Sequence, residues 1–155
     1  MSTNGLITVV LRGAHRVAQY GHWDHYPAGH GAKALRFCCS RLSTKKGRTA
    51  FTAAVDATRF LSREELRQRY QSILGVDSID WITPEQGDLI EHEMPQLSNS
   101  CGADVLSLVA DGTVTELEDN SEFARNSTFC SWGYLIDLDN NTFAVVFWRM
   151  GGWKE

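Results

Sequence analysis

Strand-forming sequence sits at the two ends of this 155-residue chain, and helical sequence lies between them. Leu6-Ile7-Thr8-Val9-Val10-Leu11 is short, apolar and β-branched, the composition of a buried strand. Arg12-Gly13-Ala14 reads as a turn and residues 15–20 as a return strand. Near the other end, residues 132–138 and 142–149 flank Asp139-Asn140-Asn141. Those three tolerate left-handed backbone, so a second hairpin is expected there. Residues 113–118 alternate weakly and add one further strand. Strands grouped at the ends do not build βαβ units. The expected class is α+β: an antiparallel or mixed sheet from the two hairpins, covered by three or four helices, in one domain over residues 1–155.

Between the hairpins the helix signals are local. Residues 31–43 read as a helix with Ala34, Leu35, Cys38 and Leu42 on its apolar face. Residues 44–48 read as a basic turn, and residues 49–60 carry no decisive pattern. Ser62-Arg63-Glu64-Glu65 is a capping box, in which a serine oxygen takes a free amide and a glutamate reaches back. Its helix runs to Leu74 and stops at Gly75. Thr83-Pro84-Glu85-Gln86 is a second capping box, with proline where a missing N–H costs nothing; that helix ends near Met94. Residues 100–110 predict a third, with Val105, Leu106 and Val109 inward and Asp111-Gly112 as its stop.

Composition excludes several partners. Fifteen basic residues face nineteen acidic ones, for a net charge of −4. The densest basic run, Lys45-Lys46-Gly47-Arg48, is too short to make nucleic acid a principal partner. No apolar run approaches the roughly 20 residues that span a bilayer. The first residues have neither the basic nor the apolar region of a signal peptide, so a cytoplasmic location is expected. The four cysteines, Cys38, Cys39, Cys101 and Cys130, form no C-x-x-C, and reduced thiols follow.

Function concentrates in residues 18–31, which hold three histidines, three aromatics, one carboxylate and three glycines in fourteen positions. No regular strand or helix has that composition, and glycine lets backbone approach a ligand. Trp23 and Tyr26 are suited to stack on a flat ring. Asp24 accepts hydrogen bonds, while Tyr20, His22 and His30 offer polar edges. Gly29 and Gly31 precede a helix, whose free amides attract anions. The leading expectation is therefore a site for a small polar or phosphorylated, nucleotide-like molecule on Tyr20, His22, Trp23, Asp24, Tyr26, Gly29, His30 and Gly31, with no cofactor. The alternative to any ligand is a structural turn whose rings plug the end of the sheet.

A hydrolase is the second reading, with Asp24 and a histidine such as His22 as the acid–base pair. Its nucleophile has three candidate sources. Cys101 sits before Gly102 at an expected helix start, where a thiolate is favoured; Cys130 has a more core-like setting. Ser2, freed of Met1, would be activated by its own amine. Tyr20-Gly21-His22-Trp23-Asp24-His25 nearly fits the H-x-H-x-D-H metal pattern of metallo-β-lactamase-like hydrolases, and His22, Asp24, His25 and His30 are the available ligands.

The same residues resemble a family of small uncharacterised phage, bacterial and fungal proteins. Thr3, Gly5 and Leu6 match its Thr-Arg-Gly-Leu-like start. Ala18-Gln19-Tyr20-Gly21, Trp23-Asp24, Tyr26-Pro27, Gly29 and Gly31 match its AQYGQWDGYP-type loop. Pro95-Gln96-Leu97-Ser98 with Gly102-Ala103, and Ser121-Glu122-Phe123-Ala124 with Phe129-Cys130-Ser131-Trp132, resemble its later blocks. This chain departs at Asn4, His22, His25 and His30, where the pattern tends to arginine, glutamine, glycine and glutamine. The resemblance implies a shared architecture and site location, and its spread admits a third reading, a host–phage protein-interaction module.

Overall fold

The computed structural model describes residues 3–126 and 128–148. In chain order the elements are strands β1 (Gly5–Leu11) and β2 (Ala14–Gly21), then helices α1 (Ala32–Arg41) and α2 (Lys45–Asp56). A two-residue strand β3 (Arg59–Phe60) precedes helices α3 (Arg63–Leu74), α4 (Pro84–Glu93) and α5 (Asp104–Ala110). A second short strand, β4 (Glu116–Leu117), leads to the final hairpin, β5 (Trp132–Asp137) and β6 (Thr142–Phe147).

The four long strands form one mixed sheet in the order β2-β1-β5-β6. β1 pairs antiparallel with β2, through a turn in which Arg12 and Gly13 both have positive φ. That backbone twist suits a two-residue hairpin. β1 also pairs in parallel with β5, Ile7 opposite Tyr134 and Val9 opposite Ile136. The parallel contact needs a long crossover, which the whole helical region supplies. The fold is α+β, as the sequence predicts, with the mixed form of the sheet.

One face of the sheet carries Ile7, Val9, Leu11, Val17, Tyr134 and Ile136, all buried. Against it pack Ala34 and Phe37 of α1, Phe51 and Val55 of α2, and Val105, Leu106 and Val109 of α5. Each apolar side chain fully removed from water contributes roughly 1.5–3 kcal/mol. A second, smaller core joins Leu61, Ile90 and Leu97 to Leu66, Tyr70 and Ile73. It holds α3 against α4 and the short 3₁₀ turn Pro95–Leu97.

Both capping boxes form as expected at Ser62 and Thr83, and α3 ends on a left-handed Gly75. Other expectations need correction. The described residues hold five α-helices, not three or four. Residues 45–48 are the first turn of α2, not a basic loop, because the Thr44 hydroxyl accepts the Gly47 N–H and Phe51 and Val55 bury one turn apart. Leu35 is 48% exposed, since α1 turns Ala34 and Phe37 inward instead. α5 starts at Asp104, which leaves Cys101 in the preceding turn. Arg149, expected to end the last strand, lies outside the described residues.

A single carboxylate ties the two hairpin turns together. Asp139, in the β5–β6 turn, accepts the Arg12 N–H on one oxygen and the Gly13 N–H on the other, both at 2.7 Å. Two backbone donors on one carboxylate fix the β1–β2 turn to its parallel neighbour. Replacing Asp139 with alanine is expected to cost about 1–3 kcal/mol in urea unfolding. A loss below a few tenths of a kcal/mol would show that the clasp contributes nothing.

Candidate functional site

The loop between β2 and α1 is built around its own histidine. Gly5 and Gly21 face each other as the terminal pair of β1 and β2. A Cβ added at Gly21 would stand 1.8 Å from His25 Nε2, and one at Gly5 would stand 2.5 Å from His25 Nδ1. The two glycines therefore open a slot for a flat ring, and His25 fills it with no exposure at all. Its main chain is clasped too. The His25 N–H donates to the Thr3 carbonyl at 3.1 Å, and the Tyr134 hydroxyl donates to the His25 carbonyl at 2.7 Å.

His30 is the second buried imidazole, its ring centre 4.6 Å from that of His25. The Ala103 N–H donates to His30 Nδ1 at 3.0 Å, so Nδ1 is unprotonated and the neutral ring carries its proton on Nε2. Gly102, with φ near +48°, leaves room for this ring; a Cβ there would meet His30 Cε1 at 2.4 Å. The expected helix-entry donors are already engaged. Gly29 N–H donates to Tyr26 O and His30 N–H to Asp24 O, while Gly31 is buried against the Tyr134 ring. The turn Pro27–Gly31 is thus closed on itself and offers no open anion cradle from those two amides.

The remaining loop residues face outward. Asp24, at positive φ, accepts a hydrogen bond from the Tyr26 hydroxyl at 3.1 Å. Trp23 and Tyr26 are 54% and 43% exposed. Trp23 sets its ring edge-on to His22, and His22 Nδ1 lies 3.0 Å from the Tyr20 hydroxyl. Eight candidate ligand residues thus separate into two groups. Tyr20, His22, Trp23, Asp24 and Tyr26 form a surface rim, and Gly29, His30 and Gly31 belong to the interior.

That separation also bears on the chemical alternatives. His22 and Asp24 reach tyrosine hydroxyls, not a nucleophile. His25 and His30 pack together in the interior while His22 and Asp24 lie on the rim, and no group of three histidine, cysteine, aspartate or glutamate residues among the described residues is placed to hold a metal ion. Burial pushes the Cys101 thiol up to about 12 and the Cys130 thiol up to about 11, the reverse of what a thiolate nucleophile needs. Met1 and Ser2, invoked for an N-terminal nucleophile, lie outside the described residues.

A feature that sequence reasoning missed adjoins the rim. The His22 N–H donates to the Asn99 carbonyl at 2.9 Å. Asn99 lines a cleft of about 460 Å³ between α4 and residues 97–100, walled by Tyr70, Trp81, Ile82, Ile90 and Leu97. Asp88, Glu91, Ser98 and Ser100 supply polar edges. Trp81 stands at 71% exposure. The signal for it was a solitary tryptophan just before a capping box, which local pattern alone does not separate from a surface aromatic. Tyr20 is held from the other side, its N–H donating to Asn120 Oδ1 and its ring edge-on to Phe123. Two segments far apart in sequence, around Asn99 and around Asn120, therefore converge on Tyr20 and His22. No protein-family model, curated protein or solved structure matches the chain.

Two outcomes follow for the buried histidines. Gly21→Ala is expected to destabilise by several kcal/mol, because the three atoms nearest the added carbon all belong to the boxed His25 ring; His25→Ala in the same chain should recover most of that loss. Gly5→Ala should not be rescued, since its Cβ also meets the Trp132 carbonyl at 2.5 Å. Equal rescue at both glycines, read from double-mutant unfolding cycles, would disprove the slot.

The second concerns acid. Burial, and then the neighbouring His30, push His25 down to about 3, and burial followed by Lys33 lowers His30. An unfolded imidazole titrates near 6.5, so the unfolded chain takes up protons first as pH falls. Stability is therefore complete above about pH 6.5 and is lost toward pH 3. His25 alone should remove about 2 kcal/mol between pH 7 and pH 5. His25→Leu should flatten that limb, and an unchanged slope would locate the acid sensitivity elsewhere.

Proposed function

We propose that this chain binds a small polar molecule, uncharged or cationic, in the cleft between α4 and residues 97–100, beside the Tyr20–His22–Trp23 rim. The observation that carries this reading is Trp81, largely exposed over an apolar floor of Ile90 and Leu97 with Asp88 and Glu91 at the edge. An aromatic wall, an apolar floor and a few polar groups are the usual parts of a small-molecule site. Carboxylates beside a tryptophan suit an amine or a polyhydroxyl compound, through charge, hydrogen bonding and the face of the indole.

Charge along the chain supports the same class. Residues 77–93 carry Asp77, Asp80, Glu85, Asp88, Glu91 and Glu93, and no lysine or arginine. A phosphate brought to this cleft would meet like charge, which costs affinity. The phosphorylated, nucleotide-like ligand suggested by the glycines of the loop loses its support for that reason, together with the closed amides of Gly29 and His30.

Thermal melts against matched panels of amines, polyols and nucleotides test the proposal. A ligand at 100 times its dissociation constant adds about 2.7 kcal/mol to stability, which is easily read. Amines or polyols are expected to raise the melting temperature of the native chain, and Trp81→Ala and Asp88→Asn to abolish the rise. Shifts produced by nucleotides alone, or shifts indifferent to both substitutions, would overturn it.

A further inference from the structure

The two edges of the main sheet are treated differently. On the outer edge of β2, Asn120 acts as a one-residue strand: its N–H donates to the Ala18 carbonyl, and its Oδ1 accepts the Tyr20 N–H. His15 and Asp119, 3.1 Å apart, add polar groups to the same edge. These are ordinary ways of blocking a sheet from growing. β6 has none of them. Its sequence, Thr-Phe-Ala-Val-Val-Phe, holds no charge, no proline and no glycine, and it pairs in register from Thr142 to Phe147 without a bulge. Among the described residues its outer edge is unpaired.

The side chains of β6 are as bare as its backbone. Phe143, Val145 and Phe147 share the helix-side face, opposite Ile136, Tyr134 and Trp132. Val145 is 52% and Phe147 55% exposed, because the helical layer stops short of this strand. Phe147 leans on Trp132 at 4.5 Å between ring centres. Cys38, Cys39 and Leu42 of α1 and its C-terminal end line a shallow cleft with Thr142 and Phe143, and exposed Leu35 lies one turn back from Cys39.

We propose that β6 is the interface at which two copies of this chain form a dimer, β6 lying antiparallel to its symmetry mate and the two sheets joining into one of eight strands. Two arguments select a second copy as the occupant. The first is charge: a two-fold axis lays β6 against the same strand, residue i facing j and j facing i, and a strand with no ionisable side chain brings no like charges together. The second is area. A standard interface takes about 800 Å² from each partner, of which about 65% is apolar in homodimers. Val145, Val146 and Phe147, with Leu35 of α1, offer exposed apolar surface on the order of 350 Å² toward that total, and the backbone edge of β6 is buried in addition. The dimer leaves the α4 cleft free, since none of its lining residues belongs to β6 or α1.

Sedimentation equilibrium of the full chain from micromolar to submillimolar loading, with hydrogen exchange on residues 142–147, tests the interface. The expected result is a species of twice the monomer mass whose β6 amides become more protected as concentration rises. Val145→Lys, at an exposed position, should yield a folded monomer with fast-exchanging β6 amides. Leu89→Lys, on exposed α4 surface, should remain dimeric. A dimer that survives Val145→Lys overturns the proposal. So does a monomer at every concentration: with β6 protected, the chain's own residues 149–155 would be the cover, and with β6 unprotected the edge would be vacant or reserved for a different protein.

Discussion

The seat of His25 between Gly5 and Gly21 is the contact on which the N-terminal half of the fold depends. These glycines are register partners at the end of the β1–β2 hairpin, so their missing side chains leave one continuous gap across two strands. A flat imidazole lies in that gap. Its backbone reaches Thr3 just before β1 and Tyr134 in the middle of β5. One residue thus connects the start of the first strand, the end of the second and the strand that arrives more than a hundred residues later. The cost is visible in the same place: among the described residues neither ring nitrogen of His25 has a hydrogen-bond partner, nor does the buried side-chain oxygen of Asn4. Each unpartnered buried polar group costs about 1–3 kcal/mol, so the packing of the slot and the clasped main chain must outweigh that loss.

This arrangement reverses the meaning of the glycines. Glycine in a loop beside histidines and aromatics reads as room for a ligand against the backbone, whereas at Gly5 and Gly21 the room is filled by a flat object from within. The flat object is the chain's own imidazole. The polar rim of Tyr20, His22 and Trp23 is the part of the loop left for solvent or ligand, and the His22–Asn99 bond places it against a cleft built from another part of the chain. Composition identifies the segment as special. It does not say that His25 and His30 turn inward while His22 stays on the rim, because that depends on the two strand ends and on Ala103, whose positions only the tertiary fold supplies.

Legibility elsewhere followed the range of the interaction that decides each element. The capping boxes at Ser62 and Thr83, the left-handed stop at Gly75 and both hairpin turns are settled within a few residues, and all were readable from sequence. α2 was not, because three bases and a glycine in its first turn run against the helix dipole and intrinsic propensity. Burial of Phe51 and Val55 overrides both. On α1 the sequence pattern points Leu35 inward where the fold buries Phe37: Ala34, Leu35, Phe37 and Cys38 span roughly 160° at 100° per residue, with Leu35 and Phe37 at opposite margins, and only the position of α2 breaks the tie. The α4 cleft was invisible for a related reason: its walls come from α3, α4 and residues 97–100, and no single window contains them.

The distribution of charge links the cleft to the rest of the surface. Residues 33–48 hold Lys33, Arg36, Arg41, Lys45, Lys46 and Arg48 with no acid, while residues 77–93 hold six acids with neither lysine nor arginine. Part of the basic group is tethered by carboxylates from α5 and its end, Lys33 to Asp104 and Arg41 to Asp111. Exposed pairs of this kind add little stability, about 0–1 kcal/mol each, so holding α5 in place cannot be their main effect. Their effect on the field is larger. They moderate the basic face, whereas no ion pair among the described residues joins an acid of the α4 helix to a lysine or arginine. A chain of net charge −4 therefore gathers acids with no lysine or arginine partner among the described residues beside a cleft that also carries an exposed tryptophan. Such a field draws cations and repels anions before contact is made, so on the proposed reading electrostatics selects among ligands ahead of the shape of the walls.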